Sequence, residues 1–238
     1  MDLAIRTIKG SGTDPGNSAG GPAAPTWAPV PPTHVPIDLQ RTPDDRFSGS
    51  CDLYSVEHNR ITILSTDAAA HRLPSGYPLE KVVESDGSAN YYERQELSSK
   101  CSRSWRKIIG RFLAVKMFGR VSDDSGNDPK IWILKEFPLH YTLWRHIKTA
   151  DQRRSRQDVL LYGTTEVTNF ASPYEFILHA EWLMKGKPYS PGPKPKPQCG
   201  CKYCSGRKQQ VITQELRDLE RDLIRYQHAR TGNPSTQY

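Results

Sequence analysis

The chain has 238 residues and a formal net charge of +7, a basic excess that suits a polyanionic partner, nucleic acid first and acidic protein second. A solvated basic face is the alternative. Hydrophobic residues make up only 36% of the chain, so we expect part of it to be disordered. It contains no apolar run of about 18 residues, and its N-terminus lacks the apolar core of a signal peptide, so we expect neither a membrane span nor secretion.

The first 40 residues contain seven Pro and five Gly and few large apolar side chains. Such a segment cannot bury enough surface to offset its chain entropy, which predicts a disordered tail over residues 1–40. Trp27 and Ile37 are isolated apolar residues that we expect to be exposed. A folded domain is predicted over residues 41–206, and a helix with a short tail over residues 207–238.

The first half of the domain contains one clear strand pattern and one long helical pattern. Arg60–Ser65 is short and β-branched, as in a strand, and a loop rich in Pro, Gly, Ser and Asp follows it. Asn90, with Glu93 three residues later, resembles a capping box. A helix is therefore predicted from about Tyr91 to Phe118, with Cys101 on its apolar face.

The second half of the domain is predicted to contain three strands, one helix and a proline-rich connector. Ser172, Pro173 and Glu175 occupy the N-cap, first and third positions of the helix, which should end before Pro188. Residues 188–197 contain five prolines and should form a stiff, extended connector. The strands are predicted at Ile131–Lys135, Tyr141–Lys148 and Asp158–Tyr162.

Three of the five cysteines, Cys199, Cys201 and Cys204, form a C-x-C-x-x-C motif. A C-x-x-C pair closes a chelate loop of the size used in tetrahedral zinc sites, and the preceding cysteine adds a third thiolate. A closed structural site needs a fourth ligand, and His179 on the preceding helix is the best candidate. The remaining candidates for the fourth ligand are Cys51, His140, His146 and His228.

Enzymatic activity is not expected. The sequence contains no Gly-rich phosphate loop, no H-E-x-x-H motif and no G-x-S-x-G elbow. A zinc ion held by three cysteines and one histidine has no open coordination position for catalysis. We therefore expect structural zinc as the cofactor and no small-molecule substrate.

Basic residues cluster around two segments of the domain. The stretch between Trp182 and Gln214 contains seven Lys or Arg and no Asp or Glu, which exceeds what one anionic zinc centre requires. A second basic segment lies between the second and third predicted strands of this half. The candidate nucleic-acid contacts are Lys148, Arg153, Arg154, Arg156, Lys194 and Lys196.

The last segment, residues 211–226, has an apolar stripe at heptad-like spacing, flanked by charges of both signs. A single helix of this length is marginal in water, so the stripe needs a partner surface. Its own domain, a second copy and another subunit are all possible, and we favour another subunit. The candidate partner-binding residues are Ile212, Leu216, Leu219, Leu223 and Tyr226.

From about residue 55 to 206 the chain resembles the N-terminal domain of the fungal cryptic loci regulator 2 family. The resemblance rests on YTLWRHIK at Tyr141–Lys148, DVLLYG from Asp158, F-x-S-P-x-E-F-x-x-H-x-x-W-L at Phe170–Leu183, and the cysteine motif followed by Ser205. It implies transcriptional silencing at heterochromatin, in an assembly with a histone deacetylase and a chromatin remodeller. Full-length members of the family are longer and carry further modules.

Within this region, residues 131–186 show a weaker similarity to methyl-CpG-binding domains. Asp158 matches a strand aspartate of that family, but the guanine-reading arginine is replaced by Ala171 and a strand tyrosine by Leu160. Loss of a bidentate arginine removes about 1–3 kcal/mol of base discrimination. DNA contact without methyl-CpG selectivity is therefore expected.

Taken together, the sequence predicts an α+β protein with a small mixed sheet, two main helices, a zinc knuckle and a C-terminal amphipathic helix. The predicted function is that of a nuclear, non-enzymatic silencing factor that binds DNA or nucleosomes within a heterochromatin repressor complex. The alternative is a protein–protein scaffold of a histone-modifying complex that does not contact DNA.

Overall fold

The computed structural model of the protein describes residues 38–41, 46–122, 130–149 and 156–231, with side chains up to residue 229. The sequence predictions for Trp27, Ile37, Arg153 and Arg154 lie outside these ranges. Within them, every helix is too short or too polar to cross a bilayer.

The described residues form eight strands and four α-helices. The strands are β1 (Gln40–Arg41), β2 (Phe47–Ser50), β3 (Tyr54–Glu57), β4 (Arg60–Ile63), β5 (Ala89–Arg94), β6 (Ile133–Leu134), β7 (Thr142–Thr149) and β8 (Arg156–Tyr162). The helices are α1 (Lys100–Leu113), which continues as a π-helical turn over Ala114–Phe118, α2 (Pro173–Met184), α3 (Lys202–Ser205) and α4 (Gln209–Thr231).

The strands form two sheets, where the sequence predicted one. The first has the order β1-β2-β3-β4-β6 and is mixed, because β4 and β6 run parallel while its other pairs are antiparallel. The second, β5-β7-β8, is antiparallel throughout. One core of buried side chains from the first sheet, β7, β8, α1 and α2 joins these elements, so the predicted α+β class is confirmed.

The predicted helix from Tyr91 to Phe118 is wrong in its first part. Asn90 and Glu93 lie in β5 and pair with β7 instead of capping a helix. The helix begins at Lys100, where the Ser99 hydroxyl accepts a hydrogen bond from the Ser102 N–H at 3.1 Å. Pairing with a distant strand therefore decides the conformation of a segment whose local pattern favoured a helix.

Close packing of α1 on β6 depends on a glycine in the helix. A Cβ atom at Gly110 would lie 2.4 Å from the Cα of Ile133, so only glycine fits without moving one of the two backbones. This contact allows Ile109 and Phe112, both fully buried, to enter the core beside the first sheet.

The helix start predicted at Ser172 is confirmed. The Ser172 hydroxyl accepts a hydrogen bond from the Glu175 N–H at 3.3 Å, and Pro173 occupies the first helical position. Most of the helix is buried, including Phe176, His179 and Leu183. Helix α2 therefore lies in the middle of the domain, and His179 is held rigidly within it.

Candidate metal centre

The proline-rich connector brings the cysteine motif back to α2. It does not run straight, as the sequence suggested: Tyr189 pairs with Pro197, and the Gln198 N–H donates to the Pro188 carbonyl at 2.8 Å. The connector is thus a closed loop whose two ends meet. Cys199 emerges beside the helix, with its Sγ 3.7 Å from the carbonyl oxygen of Leu178.

His179, Cys199, Cys201 and Cys204 meet at one point in the structure. Their ligand atoms all lie within 4.8 Å of one another, close enough to hold a metal ion. The first three residues are buried and Cys204 is half-buried. Three sulfurs and one imidazole nitrogen form a donor set that tetrahedral structural zinc sites use, so the group is compatible with zinc.

The alternative fourth ligands lie elsewhere among the described residues. His146 stacks on Tyr92, with 4.5 Å between ring centroids, and its Nε2 is 2.8 Å from the Asn90 side-chain oxygen. His140 packs edge-on against His71. Neither of these two histidines, nor Cys51 or His228, joins the four-residue group.

The His179 ring presents its two nitrogens to different partners. Nδ1 faces the sulfurs, 3.6 Å from Cys199 Sγ, and Nε2 is 3.2 Å from Asp67 Oδ2. The hydroxyls of Tyr141, at 2.5 Å, and of Thr164 also donate to Asp67. Gly163 leaves room for the Tyr141 ring, since a Cβ there would lie 2.4 Å from it. A carboxylate behind a ligating histidine fixes the ring orientation and raises its basicity.

The pKa values around His179 follow from these contacts. Burial by itself would lower the pKa of His179, but hydrogen bonds with Asp67, Cys201 and Cys204 outweigh burial and raise it to about 10. Burial would raise the pKa of Asp67, but the hydrogen bond and charge of His179 lower it below the ordinary value. Burial and the neighbouring Asp67 raise the pKa of Tyr141 well above its ordinary value, so its hydroxyl remains a donor. A metal ion bound at this site would therefore displace protons.

A second buried carboxylate, Glu175, ties the cysteine motif to the start of α2. Its Oε1 accepts from Lys202 Nζ at 2.6 Å, and its Oε2 accepts from the Tyr203 hydroxyl at 2.9 Å. The Ala171 N–H also donates to Oε2, at 2.7 Å. Glu175 thus connects the residues between Cys201 and Cys204 to the backbone that precedes the helix.

The sequence predicted the four residues that meet in this group, but not the roles of Asp67, Tyr141 and Thr164. Asp67 lies in a long loop, 112 residues from His179 along the chain, and its contacts depend on the tertiary fold. The local sequence of that loop contains no signal that identifies a metal-site residue.

The described basic candidates lie in two places. Lys148 and Arg156 are exposed and directly opposite each other in the β7–β8 register, an unfavourable pair of like charges at the end of the hairpin. Arg156 also pairs with Asp158 at 2.9 Å. Lys194 and Lys196 are exposed on the connector loop, and no described contact joins them to the hairpin.

Helix α4 packs on its own domain through its first turns. Ile212 and Leu216 are 1% and 3% exposed and belong to the core, which corrects their assignment to a partner surface. Leu219 is 44% exposed and Tyr226 59%, while Leu223 is half-buried. The predicted partner-binding stripe is therefore reduced to its C-terminal half.

Comparison with known proteins gives one family and one solved structure. No match was found among curated proteins. The chain is similar to the protein in "Structure of Clr2 bound to the Clr1 C-terminus", with 19% sequence identity and a TM-score of 0.43. The similarity covers 67% of this chain and 33% of that one, so this chain spans about a third of that chain's length. Residues 132–204 match the family model described as "Transcription-silencing protein, cryptic loci regulator Clr2". This segment, which contains all four residues of the candidate metal centre, is similar to the Clr2 family of transcription-silencing proteins.

Proposed function

We propose that the chain is a nuclear, non-enzymatic subunit of a transcription-silencing complex, and that its metal centre is a structural zinc site. The observation that supports this most directly is the group of three cysteines and His179 inside the family-matched segment. With four protein ligands, a zinc ion there would be closed to substrate. The centre would hold α2, the connector and α3 together, and the surfaces of the domain would carry the function.

DNA contact is proposed at the end of the β7–β8 hairpin. Lys148 and Arg156 lie directly opposite each other there, and the repulsion between their positive charges is unfavourable. Binding of a phosphate would relieve this repulsion. The sequence between the two strands also contains Arg153 and Arg154. Asp158, Leu160 and Ala171 line one groove beside this end, so the positions of the weaker methyl-CpG-binding resemblance lie together. Because Ala171 replaces the guanine-reading arginine, the proposed binding is to the DNA backbone.

A protein scaffold is the second candidate function, and helix α4 favours it. Leu219 is exposed and Leu223 half-buried on a helix that is already docked, which leaves the C-terminal part of the apolar stripe for another subunit. The ion pair between Arg156 and Asp158 also offsets one of the two charges at the hairpin end. The histone deacetylase and remodeller implied by the family are the proposed partners.

Metal analysis tests the zinc proposal. Freshly purified protein should contain one zinc per chain, and Cys201→Ser should lose it and unfold, because structural zinc contributes about 10 kcal/mol or more to folding. Cys51→Ser is the matched control, since Cys51 lies outside the ligand group. Protein that is folded and free of zinc would contradict the proposal.

Affinity purification from nuclear extract tests the role as a subunit. The tagged full chain should retain a deacetylase and a remodeller, and Leu219→Asp with Leu223→Asp should release them without loss of zinc. Retention of chromatin but of neither enzyme would favour the DNA-binding role alone. Retention of neither chromatin nor either enzyme would contradict both candidate functions.

A further inference from the structure

The outer edge of β8 has unpaired backbone groups. Leu161 and Phe170 exchange two hydrogen bonds of 2.9 Å across this edge. Because backbone direction alternates along a strand, the N–H and C=O groups of Val159 and Gln157 point to the same side as those of Leu161. Among the described residues, none pairs with the backbone of Val159 or Gln157 on that side. The edge is thus paired at Leu161 and unpaired at two successive edge-facing positions, Val159 and Gln157, which we call the open rungs of β8.

The opposite edge of the same sheet is covered. The Tyr92 N–H of β5 donates to the Pro78 carbonyl at 2.7 Å, and Ala89 pairs with Val83. Proteins usually protect the edges of sheets, because unpaired edges attract other strands. The chain protects β5 in this way and leaves the first part of β8 available.

A groove of about 440 Å³ runs beside the open rungs of β8. Trp105 of α1, Ala171 and the first residue of α2, Pro173, line it together with Val159 and Leu160. Its polar lining includes His146, Arg156, Gln157 and Asp158. This volume falls within the range of roughly 300–1,000 Å³ that is typical of ligand pockets, and the lining suits one apolar side chain.

We propose that this edge binds an extended peptide segment of a partner protein, which adds to β8 as a further antiparallel strand. The Phe170–Leu161 pair is already one rung of such an arrangement, and the chain then turns away into α2, leaving the next rungs empty. An added strand supplies both N–H donors and C=O acceptors to Val159 and Gln157. The DNA backbone offers phosphate acceptors but no matching donors, so it pairs with only half of these groups.

The direction of the added strand predicts its sequence. A strand antiparallel to β8 starts beside Phe170 and runs toward Arg156, so its C-terminal end reaches the end of the β7–β8 hairpin. Lys148 and Arg156 outweigh Asp158 there, which favours an acidic residue. The segment therefore carries an apolar residue opposite Val159 and an acidic residue about three positions later. This inference rests on the proposed role as a silencing subunit, specifies one way in which that subunit binds a partner, and does not depend on DNA binding.

A peptide library displayed on phage tests the inference, with the zinc-loaded full chain as bait. Twelve-residue binders should show the apolar and acidic pattern and should slow hydrogen exchange at the Val159 and Gln157 amides. Val159→Pro removes the edge N–H at a position where an edge strand tolerates proline, and should weaken binding at least tenfold. Val159→Ile keeps the N–H and should bind like the wild type. N-methylation of the peptide should weaken binding at alternate residues only, since every second N–H faces β8.

Several outcomes overturn the proposal. A library without a Val159-dependent binder, or binders that tolerate N-methylation at every position, would show that the edge does not accept a strand. If protection of the Val159 and Gln157 amides from hydrogen exchange rises with protein concentration, the edge binds a second copy of the chain. If this protection is lost on deletion of residues 1–37, the edge binds that segment of the same chain. Protection by duplex DNA would assign it to nucleic acid. The double substitution Lys148→Ala with Arg156→Ala should weaken DNA binding and remove the preference for an acidic residue in the peptide, but peptides should still protect the Val159 and Gln157 amides.

Discussion

The substitution Asp67→Asn tests the carboxylate behind the ligating histidine. It preserves the shape of the side chain but removes its charge and turns one acceptor atom into a donor. That donor then meets the hydroxyl of Tyr141 or Thr164, or the Nε2–H of His179, each of which donates to a carboxylate oxygen in the wild type. The Asp67 side chain is only 6% exposed, so water cannot readily replace the missing hydrogen bonds.

The size of the effect follows from the hydrogen bonds that each substitution removes. Substitution of residues behind metal ligands typically lowers metal affinity 10–100-fold, or about 1.4–2.7 kcal/mol. Asp67→Asn keeps part of the hydrogen bonding, so the loss of zinc affinity should be close to 10-fold. Asp67→Ala leaves three buried donors without an acceptor and should fall near the 100-fold end.

Zinc competition with a chromophoric chelator measures both variants, with circular dichroism in excess zinc to confirm that each is folded. Asp86→Asn is the matched control, because Asp86 lies in an exposed loop, where its carboxylate makes local hydrogen bonds, including one of 2.8 Å from the Ser88 N–H. It should hold zinc like the wild type. If Asp67→Asn also holds zinc like the wild type, or if Asp86→Asn loses affinity equally, then the Asp67–His179 contact does not tune the site.

Three further predictions concern the core and the surfaces. Leu216→Asp should lower the melting temperature by roughly 10 °C, because loss of a buried leucine costs about 2–5 kcal/mol of unfolding free energy. Leu219→Asp should change the melting temperature by no more than about 2 °C. Equal shifts by calorimetry would contradict the division of α4 into a docked and an exposed half. Gly110→Ala should destabilise the fold by about 1–3 kcal/mol in urea unfolding, because its methyl group meets the backbone of β6, and a neutral effect would mean that the helix can move aside. The double substitution Lys148→Ala with Arg156→Ala should flatten the slope of log K against log salt by about 1.8 for duplex DNA, equally for methylated and unmethylated CpG, and an unchanged slope would place the phosphate contacts elsewhere.

The features that the sequence predicted correctly depend on neighbouring residues. The start of α2 rests on Ser172, Pro173 and Glu175, which lie within four positions and satisfy the backbone of one helical turn. The three cysteines that meet His179 in the candidate metal centre also lie within one short stretch, and His179 precedes them on the adjoining helix. In each case the spacing along the chain restricts the geometry before the tertiary fold is known.

The features that the sequence did not predict depend on distant residues. Tyr91 and Tyr92 lie in a strand because β7 pairs with them, more than 50 positions later. Ile212 and Leu216 are buried because α4 meets a surface built from earlier parts of the chain, whereas their periodicity fits a partner helix equally well. Asp67 acquires its contacts only through the tertiary fold, which brings it to Tyr141, just before β7, and to His179 of α2.

The contact between Asp67 and His179 also affects how the family-matched segment can be excised. The family-matched segment, residues 132–204, contains His179 and all three cysteines but not Asp67. A fragment cut at those boundaries keeps every ligand and yet loses the group that orients the imidazole, together with the β5 strand that pairs with β7. We therefore expect the smallest autonomous zinc-binding unit of this chain to be longer than the family-matched segment and to begin upstream of Asp67.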